Sequence, residues 1–275
     1  MSTVPAAAAP ADRTVARMRH DLRLRLLDIV GLASVTPRLV RVTFGGEHLT
    51  DFCSPGFDDH VKVFVPPKGE AFDSLPPLGP EGPMFKAGAP SPARRDYTPH
   101  HHDPAALTMQ VDFVLHGEGP AAAWARRARA GDKVIVGGPR SSFLVGVGFD
   151  WHLLMGDDTA LPAIRRRLAE LPAGSRAVVF AEVERPGDAE PFASDATVET
   201  YWVYRSRGDG GSACLLDALA GVRLPEGDYY AWIACESSDA KAIRKALLER
   251  GADRRSLKAA GYWRRGSAAI HDVHE

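Results

Sequence analysis

The first part of the chain alternates apolar and polar residues over short runs, which is the pattern of strands buried on one face. Turn-forming residues separate these runs. A short helix between them is predicted only for residues 119–131, a segment that begins with Gly-Pro, is rich in Ala and ends with Gly. Short strands with such punctuation predict an antiparallel β-barrel. The predicted strands are Leu22 to Val30, Arg38 to Phe44, His60 to Val65, Leu107 to His116 and Lys133 to Val136.

Two segments of this first part lack any periodic pattern. Residues 1–20 begin with an Ala/Pro-rich stretch without a basic or Leu-rich region, so we expect a disordered tail and no secretion signal. Pro66 to Pro92 holds many Pro and Gly residues, and we expect it to be irregular, either a functional flap or disordered.

After about Gly148 strands and helices alternate, which predicts a mostly parallel sheet with helices on both faces, a Rossmann-like α/β fold. Thr159 is expected to cap a helix that runs to Leu171. The predicted domains are a tail over residues 1–20, an antiparallel barrel over 21–147 and an α/β domain over 150–275. The other predicted elements are the strands Trp151 to Met155, Arg176 to Glu182, Thr200 to Tyr204 and Tyr229 to Cys235 and the helices Ser212 to Ala220 and Ser238 to Arg250, the last with Ala242, Ala246, Leu247 and Leu248 facing inward.

Composition fits a soluble protein of two domains. The chain has 275 residues, of which 45% are hydrophobic and 25% charged, and its net charge is −1. This balance gives no general attraction to nucleic acid or to an anionic membrane, and no run of 18 apolar residues predicts a membrane span. Charge is uneven, however, because nine Lys or Arg residues lie between Lys241 and Arg265 against two acidic residues.

The three cysteines, Cys53, Cys214 and Cys235, are far apart and form no CxxC pair. A zinc ribbon, an iron–sulfur cluster and a redox dithiol are therefore not expected. Sparse, buried thiols are typical of a reducing cytoplasm. We expect a cytoplasmic protein, a monomer, without nucleic acid or a stable membrane association.

The segment Arg95-Asp96-Tyr97-Thr98 has the side chains that a flavin needs. The Tyr97 ring can lie against an isoalloxazine, Thr98 can bond its polar edge and Arg95 can hold a phosphate through its fork of donors. An ordinary strand with a surface arginine remains the alternative.

The segment His116-Gly-Glu-Gly119-Pro-Ala121 ends a predicted strand and opens the Ala-rich helix. Glycines allow close backbone approach and a helix start offers free N–H groups, so this corner suits the diphosphate of a flavin dinucleotide. Asp112, Val114 and His116 alternate and are expected to share one face of the strand. A plain strand–turn–helix corner is the alternative.

The segment Gly156-Asp-Asp-Thr-Ala160 ends the first strand of the second half and opens a helix, where a doubly wound sheet binds a dinucleotide. Glu236 follows a later strand and lies at the same sheet edge if that strand is parallel to the first. Both segments have a routine helix start as the alternative. Arg205, at another strand end, is a candidate partner for the 2′-phosphate of NADPH.

Other catalytic motifs find no support in the chain. His100-His-His-Asp103 contains metal-ligating residue types, but adjacent residues on a rigid element do not all face one ion, so we expect an exposed loop and no metal. No GxSxG, HExxH or P-loop sequence is present, which removes the anchors for Ser-His-Asp hydrolysis and phosphoryl transfer.

The order of these motifs resembles the siderophore-interacting protein family of flavin-dependent ferric-siderophore reductases, over nearly everything from Leu22 to Gly266. The matching motifs are Arg95-x-Tyr-Thr, Asp112-Phe-Val-Leu-His-Gly-x-Gly-Pro-Ala-x-x-Trp-Ala, Gly137-Gly-Pro-Arg, Gly156-Asp-Asp-Thr-Ala-Leu-Pro-Ala-Ile and Gly261-Tyr-Trp-Arg-x-Gly. The chain departs from the family pattern at Asp158, His100 and Ser141, where Glu, Arg and Gly are frequent.

The resemblance implies an FAD-binding barrel of the ferredoxin-reductase type, followed by a nicotinamide-binding α/β domain. Trp263 is expected to cover the flavin or the substrate pocket, with a core tryptophan as the alternative. For FAD the implied residues are Arg95, Tyr97, Thr98, Asp112, Val114, His116, Gly117, Gly119, Ala121 and Trp263. For NADPH or NADH they are Gly156, Asp157, Asp158, Thr159, Ala160 and Glu236, with Arg205 added as a hypothesis.

The implied reaction is the reduction of a ferric siderophore, with release of ferrous iron. A nicotinamide delivers two electrons at once and iron accepts one, a mismatch that a flavin bridges. Lys258, Arg264 and Arg265 are expected to attract an anionic ferric complex. Two alternatives stay open: a general NAD(P)H–flavin reductase, including one that serves a protein partner, and a module that binds flavin or siderophore without turnover.

Overall fold

The structure is a computed structural model that describes residues 12–80, 82–86, 88, 90–115, 119–205, 214–266 and 272–274. Contacts divide the chain into two compact units. The barrel unit comprises Met18–Ser54 and Asp59–Ser142, and the α/β unit comprises the described residues up to Arg17, Pro55–Asp58 and those from Phe143 onward. Among the described residues, no helix is long and apolar enough to cross a membrane.

The barrel unit is built on a seven-stranded sheet in the order β7-β4-β10-β2-β3-β9-β8, and every adjacent pair in it is antiparallel. All five strands predicted for this half are present, with ends shifted by a few residues. The bounds are β2 Leu24–Thr36, β3 Leu39–Gly45, β4 Val61–Val65, β7 Ala93–Tyr97, β8 Pro99–Asp103, β9 Thr108–Val114 and β10 Lys133–Gly137.

The sheet curls, because its two edge strands are consecutive in the chain. β7 and β8 lie at opposite edges, and only Thr98 separates them, so the edges must approach each other at that residue. The predicted antiparallel barrel is thus confirmed as a curled sheet. The prediction of an exposed loop at residues 100–103 is wrong, because these residues pair with β9 as part of β8.

Two further predictions for this half need correction. Residues 15–19 are not a disordered tail, because Val15–Arg19 forms strand β1, which pairs with β11 (Ser141–Val145). The Pro66–Pro92 segment contains a small hairpin of β5 (Leu78–Gly79) and β6 (Gly82–Pro83). Phe85 anchors that segment, since its ring lies 5.6 Å from Phe64 of β4 and 6.2 Å from Phe72.

The Ala-rich helix α1 spans Pro120–Ala125 and is shorter than the sequence predicts. Its Trp124 is buried in the core of the barrel unit, together with inward residues of β2, β3, β4, β9 and β10. These include Leu27, Phe44, Val63, Phe113 and Val134, each of which has at least one polar or glycine neighbour in its strand. The alternation that predicted the strands is therefore also what fills the core.

The α/β unit has a six-stranded sheet in the order β14-β13-β12-β15-β16-β17. The first five strands in this order are parallel and β17 is antiparallel. The bounds are β12 Trp151–Gly156, β13 Arg176–Val183, β14 Thr197–Tyr204, β15 Tyr229–Glu236, β16 Leu257–Trp263 and β17 Asp272–His274, with helices α2 Leu161–Glu170, α3 Cys214–Ala220 and α4 Ser237–Glu249.

Helices cover both faces of this sheet, as predicted. Ile164 of α2 packs with Leu154 and Trp232 on one face. Ile243 of α4 packs with Leu153 and Leu215 of α3 on the other. Successive residues of β12 therefore enter different cores, which is why this strand is buried throughout.

Two helix predictions were wrong in detail. Thr159 does not cap α2, because its hydroxyl donates to Asp157 and Ala160 is the residue at the cap position, without a side-chain bond. The buried face of α4 is Ser237, Ala240, Ile243 and Leu247, whereas Ala242 is exposed. From the true helix start at Ser237 this face follows the i, i+3, i+6, i+10 spacing of one helix side.

Candidate functional site

The flavin candidates of the barrel unit meet through a row of aromatic rings. Tyr97 ends β7, and its ring centroid lies 4.3 Å from that of Phe113 on β9. Phe113 in turn lies 5.4 Å from Trp124 of α1. These two contacts place the Arg95–Thr98 segment beside the helix that begins at Pro120, so two motifs distant in sequence form one candidate site.

Arg95 carries a positive charge that no described carboxylate neutralises. Its guanidinium donates to the carbonyl of Arg94 at 2.7 Å, and no described acidic side chain lies within ion-pair distance. The next residue, Asp96, instead pairs with Lys62 at 2.5 Å. An arginine held close to its own strand without a counter-ion is suited to an anionic ligand.

Tyr97 and Thr98 present the remaining groups. Burial raises the pKa of Tyr97 well above its usual range, against the opposing effect of Arg95, so its phenol stays neutral and can donate. Thr98 is buried at the point where the chain passes from one sheet edge to the other. Its position is thereby fixed by the fold and not by the conformation of a loop.

The start of α1 leaves room for a ligand. A Cβ placed on Gly119 would have nothing within 4 Å, and Gly119 has an ordinary extended conformation, so the space beside its backbone is open. Ala121, two residues further on, is buried. Together with the unpaired Arg95, these features fit a bound FAD. The other two residues predicted here, His116 and Gly117, lie outside the described residues.

Asp112 and Val114 have different surroundings. Both carboxylate oxygens of Asp112 accept bonds from Arg41, at 2.7 and 2.8 Å, directly across the β3–β9 ladder. The Asp112 side chain has no exposed surface, so a direct contact to FAD would require it to leave this bidentate pair. Val114 ends β9 and is half-buried.

The α/β unit has the strand order of dinucleotide-binding sheets. Its order reverses between β12 and β15, whose carboxyl ends meet with Gly156 opposite Ala234. Gly156 is required by packing, because a Cβ there would lie 2.4 Å from the Cβ of Ala160 and 2.6 Å from the carbonyl oxygen of Ala234. This glycine therefore lets the start of α2 approach the sheet edge.

Asp157 follows Gly156 and is almost wholly buried. One carboxylate oxygen accepts from the Thr159 backbone N–H at 3.0 Å and from its hydroxyl at 2.5 Å. The other accepts from the indole N–H of Trp263 at 2.7 Å. Burial, reinforced by the charge of Asp158, raises the pKa of Asp157 to about 7.

Arg205 is enclosed by carboxylates. Its guanidinium contacts Asp158, Glu182 at 3.1 Å and Glu184 at 3.3 Å, which lie after β12 and at the end of β13. The arginine is about one-quarter exposed, at 26%. A 2′-phosphate would have to compete with these three anions for the same donors, so the hypothesis for Arg205 receives no support from its surroundings.

Glu236 closes the carboxyl end of β15. Its side chain caps α4, because one oxygen accepts from the N–H groups of Ser238 at 2.6 Å and Asp239 at 3.3 Å. The other oxygen accepts from the backbone N–H of Arg265 at 3.2 Å. Burial opposes ionisation, but these bonds lower the pKa of Glu236, so it remains a carboxylate.

Trp263 ends β16, a strand that the sequence interpretation missed. A register shift opposite Cys235 and Glu236 leaves Tyr262 as an extra residue in β16, and such a bulge redirects the side chain that follows it. The small residues of this strand are the signal that was overlooked. Gly261 is one of them: a Cβ there would lie 2.2 Å from the hydroxyl oxygen of Ser237.

The three candidate substrate-binding cations do not form one patch. Lys258 is the second residue of β16, and its ammonium pairs with buried Asp58 at 2.6 Å and lies 3.8 Å from the centre of the Phe143 ring. Arg264 and Arg265 are exposed beyond the other end of the strand. Six residues of extended chain separate Lys258 from Arg264, roughly 20 Å.

Comparison with known families covers both units. The model of the siderophore-interacting FAD-binding domain matches residues 28–143, and the model named siderophore-interacting protein matches residues 149–266.

Two relatives with named activities are similar over most of their length. The NADPH-dependent ferric-chelate reductase of Escherichia coli is 32% identical, over 90% of this chain and 95% of the relative. The ferric vibriobactin reductase of Vibrio cholerae is 31% identical, over 88% of this chain and 90% of the relative.

Solved structures show the same likeness. A siderophore utilization protein from T. fusca superposes with a TM-score of 0.85 at 34% identity, over 94% of this chain and 99% of that one. A ferredoxin reductase of a carbazole 1,9a-dioxygenase system superposes with a TM-score of 0.57 at 14% identity, over 86% of this chain and 66% of that one, which shows a shared fold.

Proposed function

This chain belongs to the siderophore-interacting protein family, and from that membership we propose that it is an FAD-dependent enzyme that uses NAD(P)H to reduce ferric siderophores. The observation that carries the assignment is the joining of the two flavin motifs by the row Tyr97–Phe113–Trp124. It gathers an uncompensated guanidinium, a neutral phenol and an open glycine backbone in one unit.

The barrel unit holds the flavin. Arg95 supplies charge to its phosphate, and Tyr97, fixed by Phe113, supplies a ring that lies against the isoalloxazine. Gly119 admits the diphosphate close to the backbone at the start of α1. Asp112 acts indirectly, by binding Arg41 and keeping β3 and β9 in register beneath this site.

The α/β unit binds the nicotinamide nucleotide at the carboxyl edge of β12 and β15, where doubly wound sheets bind dinucleotides. Gly156 and Ala160 allow the close approach of α2, and Asp157 and Thr159 order the turn between them. Bound FAD would accept two electrons from the nicotinamide and release them one at a time.

Reduction releases the iron because of its coordination chemistry. Ferric iron is held by hard, often anionic oxygen ligands, and one added electron lowers its charge and weakens those bonds. The exposed Arg264 and Arg265 provide positive charge for an anionic ferric complex. The enzyme is proposed to act as a monomer in the cytoplasm, where its sparse cysteines, among them the unpaired Cys53 and Cys235, stay reduced.

The proposal is tested with the purified protein under anaerobic conditions. We expect a yellow protein whose visible flavin absorbance is lost on addition of NADPH. Addition of a ferric siderophore should restore that absorbance, while a ferrous-specific chelator develops colour.

Other outcomes separate the alternatives. Flavin that NADPH does not bleach would identify a binding module. Turnover of free flavin without turnover of iron chelates would identify a general flavin reductase.

A further inference from the structure

The contact between Asp157 and Trp263 spans a strand. Asp157 follows β12 and Trp263 ends β16, and β15 lies between these strands in the sheet. Adjacent strands are about 4.8 Å apart, so the indole must reach across the end of β15 to donate its N–H to Asp157 at 2.7 Å. A side chain that crosses a strand end lies over the edge of the sheet.

The backbone of β16 orients the Trp263 side chain toward Asp157, across the end of β15. The bulge at Tyr262 breaks the alternation just before Trp263. Ser237, the first residue of α4, donates its hydroxyl to the Trp263 carbonyl at 3.2 Å, a contact that the missing Cβ of Gly261 permits. The main chain is thus held by α4, and the ring by Asp157.

Asp157 is dedicated to this role. It is 2% exposed, and no described cation lies within ion-pair distance of it, because Arg205 is taken up by Asp158 and its neighbours. Among the residues that the structure describes, its carboxylate accepts from Thr159 and Trp263 alone. Burial of a carboxylate that has hydrogen bonds but no counter-ion lowers the stability of the folded state, and the fold retains Asp157 despite this loss.

The place of this contact gives it a function. β12 and β15 are the strands between which the sheet order reverses, and the crevice at their carboxyl ends is where a dinucleotide binds. Trp263 is half-buried there, so part of the residue remains accessible. An aromatic face suits the planar ring of a nicotinamide.

We propose that Asp157 is a positioning residue that holds the indole of Trp263 across the end of β15, so that Trp263 forms one wall of the crevice in which the nicotinamide nucleotide binds. Trp263 contacts the nucleotide, and Asp157 acts through Trp263. The inference rests on the proposed function, because it concerns the same nucleotide site.

The test is a double-mutant cycle on binding of NADP⁺, which binds without reacting, measured by calorimetry on the flavin-loaded protein. Asp157→Ala should weaken binding roughly five- to tenfold, because the ring loses its anchor. The cycle is measured at about pH 6, where the Asp157 carboxyl is mostly neutral. At this pH Asp157→Ala should have no further effect in a Trp263→Phe background, which has no indole N–H. Asp157→Asn, which keeps an acceptor oxygen, should restore the wild-type constant at the same pH.

A spectroscopic readout and a control accompany the cycle. The emission of Trp263 is identified as the fluorescence that is lost in Trp263→Phe. In Asp157→Ala this emission should shift to the red, because the freed indole is more exposed. In Asp157→Asn it should have the wild-type wavelength again. Trp202→Phe is the matched control. Trp202 lies in β14 and stacks on Phe192, with ring centroids 5.3 Å apart. This variant should bind NADP⁺ as the wild type does.

Two results would overturn the inference, and they are distinguishable. Additive effects of Asp157→Ala and Trp263→Phe would show that Asp157 does not act through the indole, while leaving the reductase assignment intact. Failure of the wild-type protein to bind NADP⁺ or NAD⁺ at all would overturn the proposed function and this inference with it.

Discussion

The ring of Tyr97 lies on that of Phe113, with centroids 4.3 Å apart and planes inclined by 42°. Phe113 belongs to β9 and is wholly buried, whereas Tyr97 is half-buried at the end of β7. The orientation of a proposed flavin contact is therefore set by a core residue that is unable to touch the flavin itself.

Replacing Phe113 by leucine should accordingly reduce flavin retention. Phe113→Leu removes the ring that fixes Tyr97, and we expect the flavin-to-protein absorbance ratio to fall after dialysis, with a FAD dissociation constant raised roughly tenfold. Tyr97→Phe keeps the ring contact with Phe113 and should retain most of the flavin. Full flavin content in a folded Phe113→Leu protein would disprove this relationship.

Arg95 and Arg94 form a matched pair for testing the phosphate contact. They are adjacent in β7 and point to opposite sides of the sheet, and Arg94 is exposed. Arg95→Gln should raise the FAD dissociation constant by roughly 10- to 100-fold, because a charge-assisted bond contributes about 1.5–3 kcal/mol.

The loss in Arg95→Gln should shrink as salt concentration rises, since the missing contact is ionic. Arg94→Gln should bind FAD with the wild-type constant. Equal losses of FAD affinity in the two variants would show that Arg95 is an ordinary surface residue of β7 without a phosphate contact.

Arg205 should matter for stability and not for the choice of nucleotide. Arg205→Ala leaves Asp158, Glu182 and Glu184 close together without a counter-ion, and we expect a loss of about 2 kcal/mol in the free energy of unfolding, less than for a fully buried cluster. Denaturant titration measures this loss.

The ratio of kcat/KM for NADPH to that for NADH should stay unchanged in Arg205→Ala. A selective loss of NADPH turnover would instead establish Arg205 as the partner of the 2′-phosphate. Arg165→Ala is a suitable control, because Arg165 pairs with Glu190 elsewhere in the unit at 2.9 Å.

Nucleotide affinity should depend on pH through Asp157. Burial, with the charge of Asp158, raises the pKa of Asp157 to about 7, so below that pH it is neutral and above it an anion. The nucleotide's phosphates are anionic, and the affinity for NADP⁺ should therefore fall as pH rises from about 6 to about 8. The other charged groups near Asp157 are Asp158 on its own turn, Glu182 of β13, Arg205 after β14, Glu236 of β15 and Arg265 beyond β16. The Cys235 thiol of β15 stays neutral, because burial raises its pKa.

Asp157→Asn identifies the group responsible. This variant is neutral at every pH and should bind NADP⁺ with a constant that changes little over the same range. A pH dependence that persists in Asp157→Asn would assign the titration to another group.

The sequence predicted the elements that have a periodic pattern of burial and the sites that the order of the motifs marks. Strands such as β3 and β9 have one buried face, so their alternation was visible, and Gly156 marked the edge at which α2 begins. β16 was missed because Leu257–Trp263 is short, rich in small residues and buried on both faces, so it carries no alternation.

Contacts between residues distant in sequence could not be predicted. Arg25 is buried and donates to the carbonyls of His48 at 3.0 Å and Gly138 at 2.9 Å, and Arg167 donates to Val145 at 3.0 Å. Neither arginine stands out in the sequence, because the backbone oxygens that it binds are brought near only by the fold. The ion pair between Lys258 and Asp58 could not be predicted for the same reason, because 200 residues separate them in the sequence.

The separation of Lys258 from Arg264 and Arg265 leads to opposite expectations for their variants. Lys258→Met leaves Asp58 buried with the Trp232 indole, at 3.0 Å, as its one remaining side-chain partner in the described part of the chain, and should lower the free energy of unfolding by about 3 kcal/mol. Asp58→Asn in the same chain should recover most of this loss, because the unpaired charge is then absent. The ratio of KM values for an anionic and a neutral ferric chelate should not change.

The double variant Arg264→Gln, Arg265→Gln should behave in the reverse way. Both side chains are exposed, so stability should change by less than about 0.5 kcal/mol. The KM for an anionic ferric chelate should rise severalfold at low salt and converge with the wild type at high salt, while that for a neutral chelate stays constant. Equal changes for the two chelates would show that these arginines do not select substrate by charge.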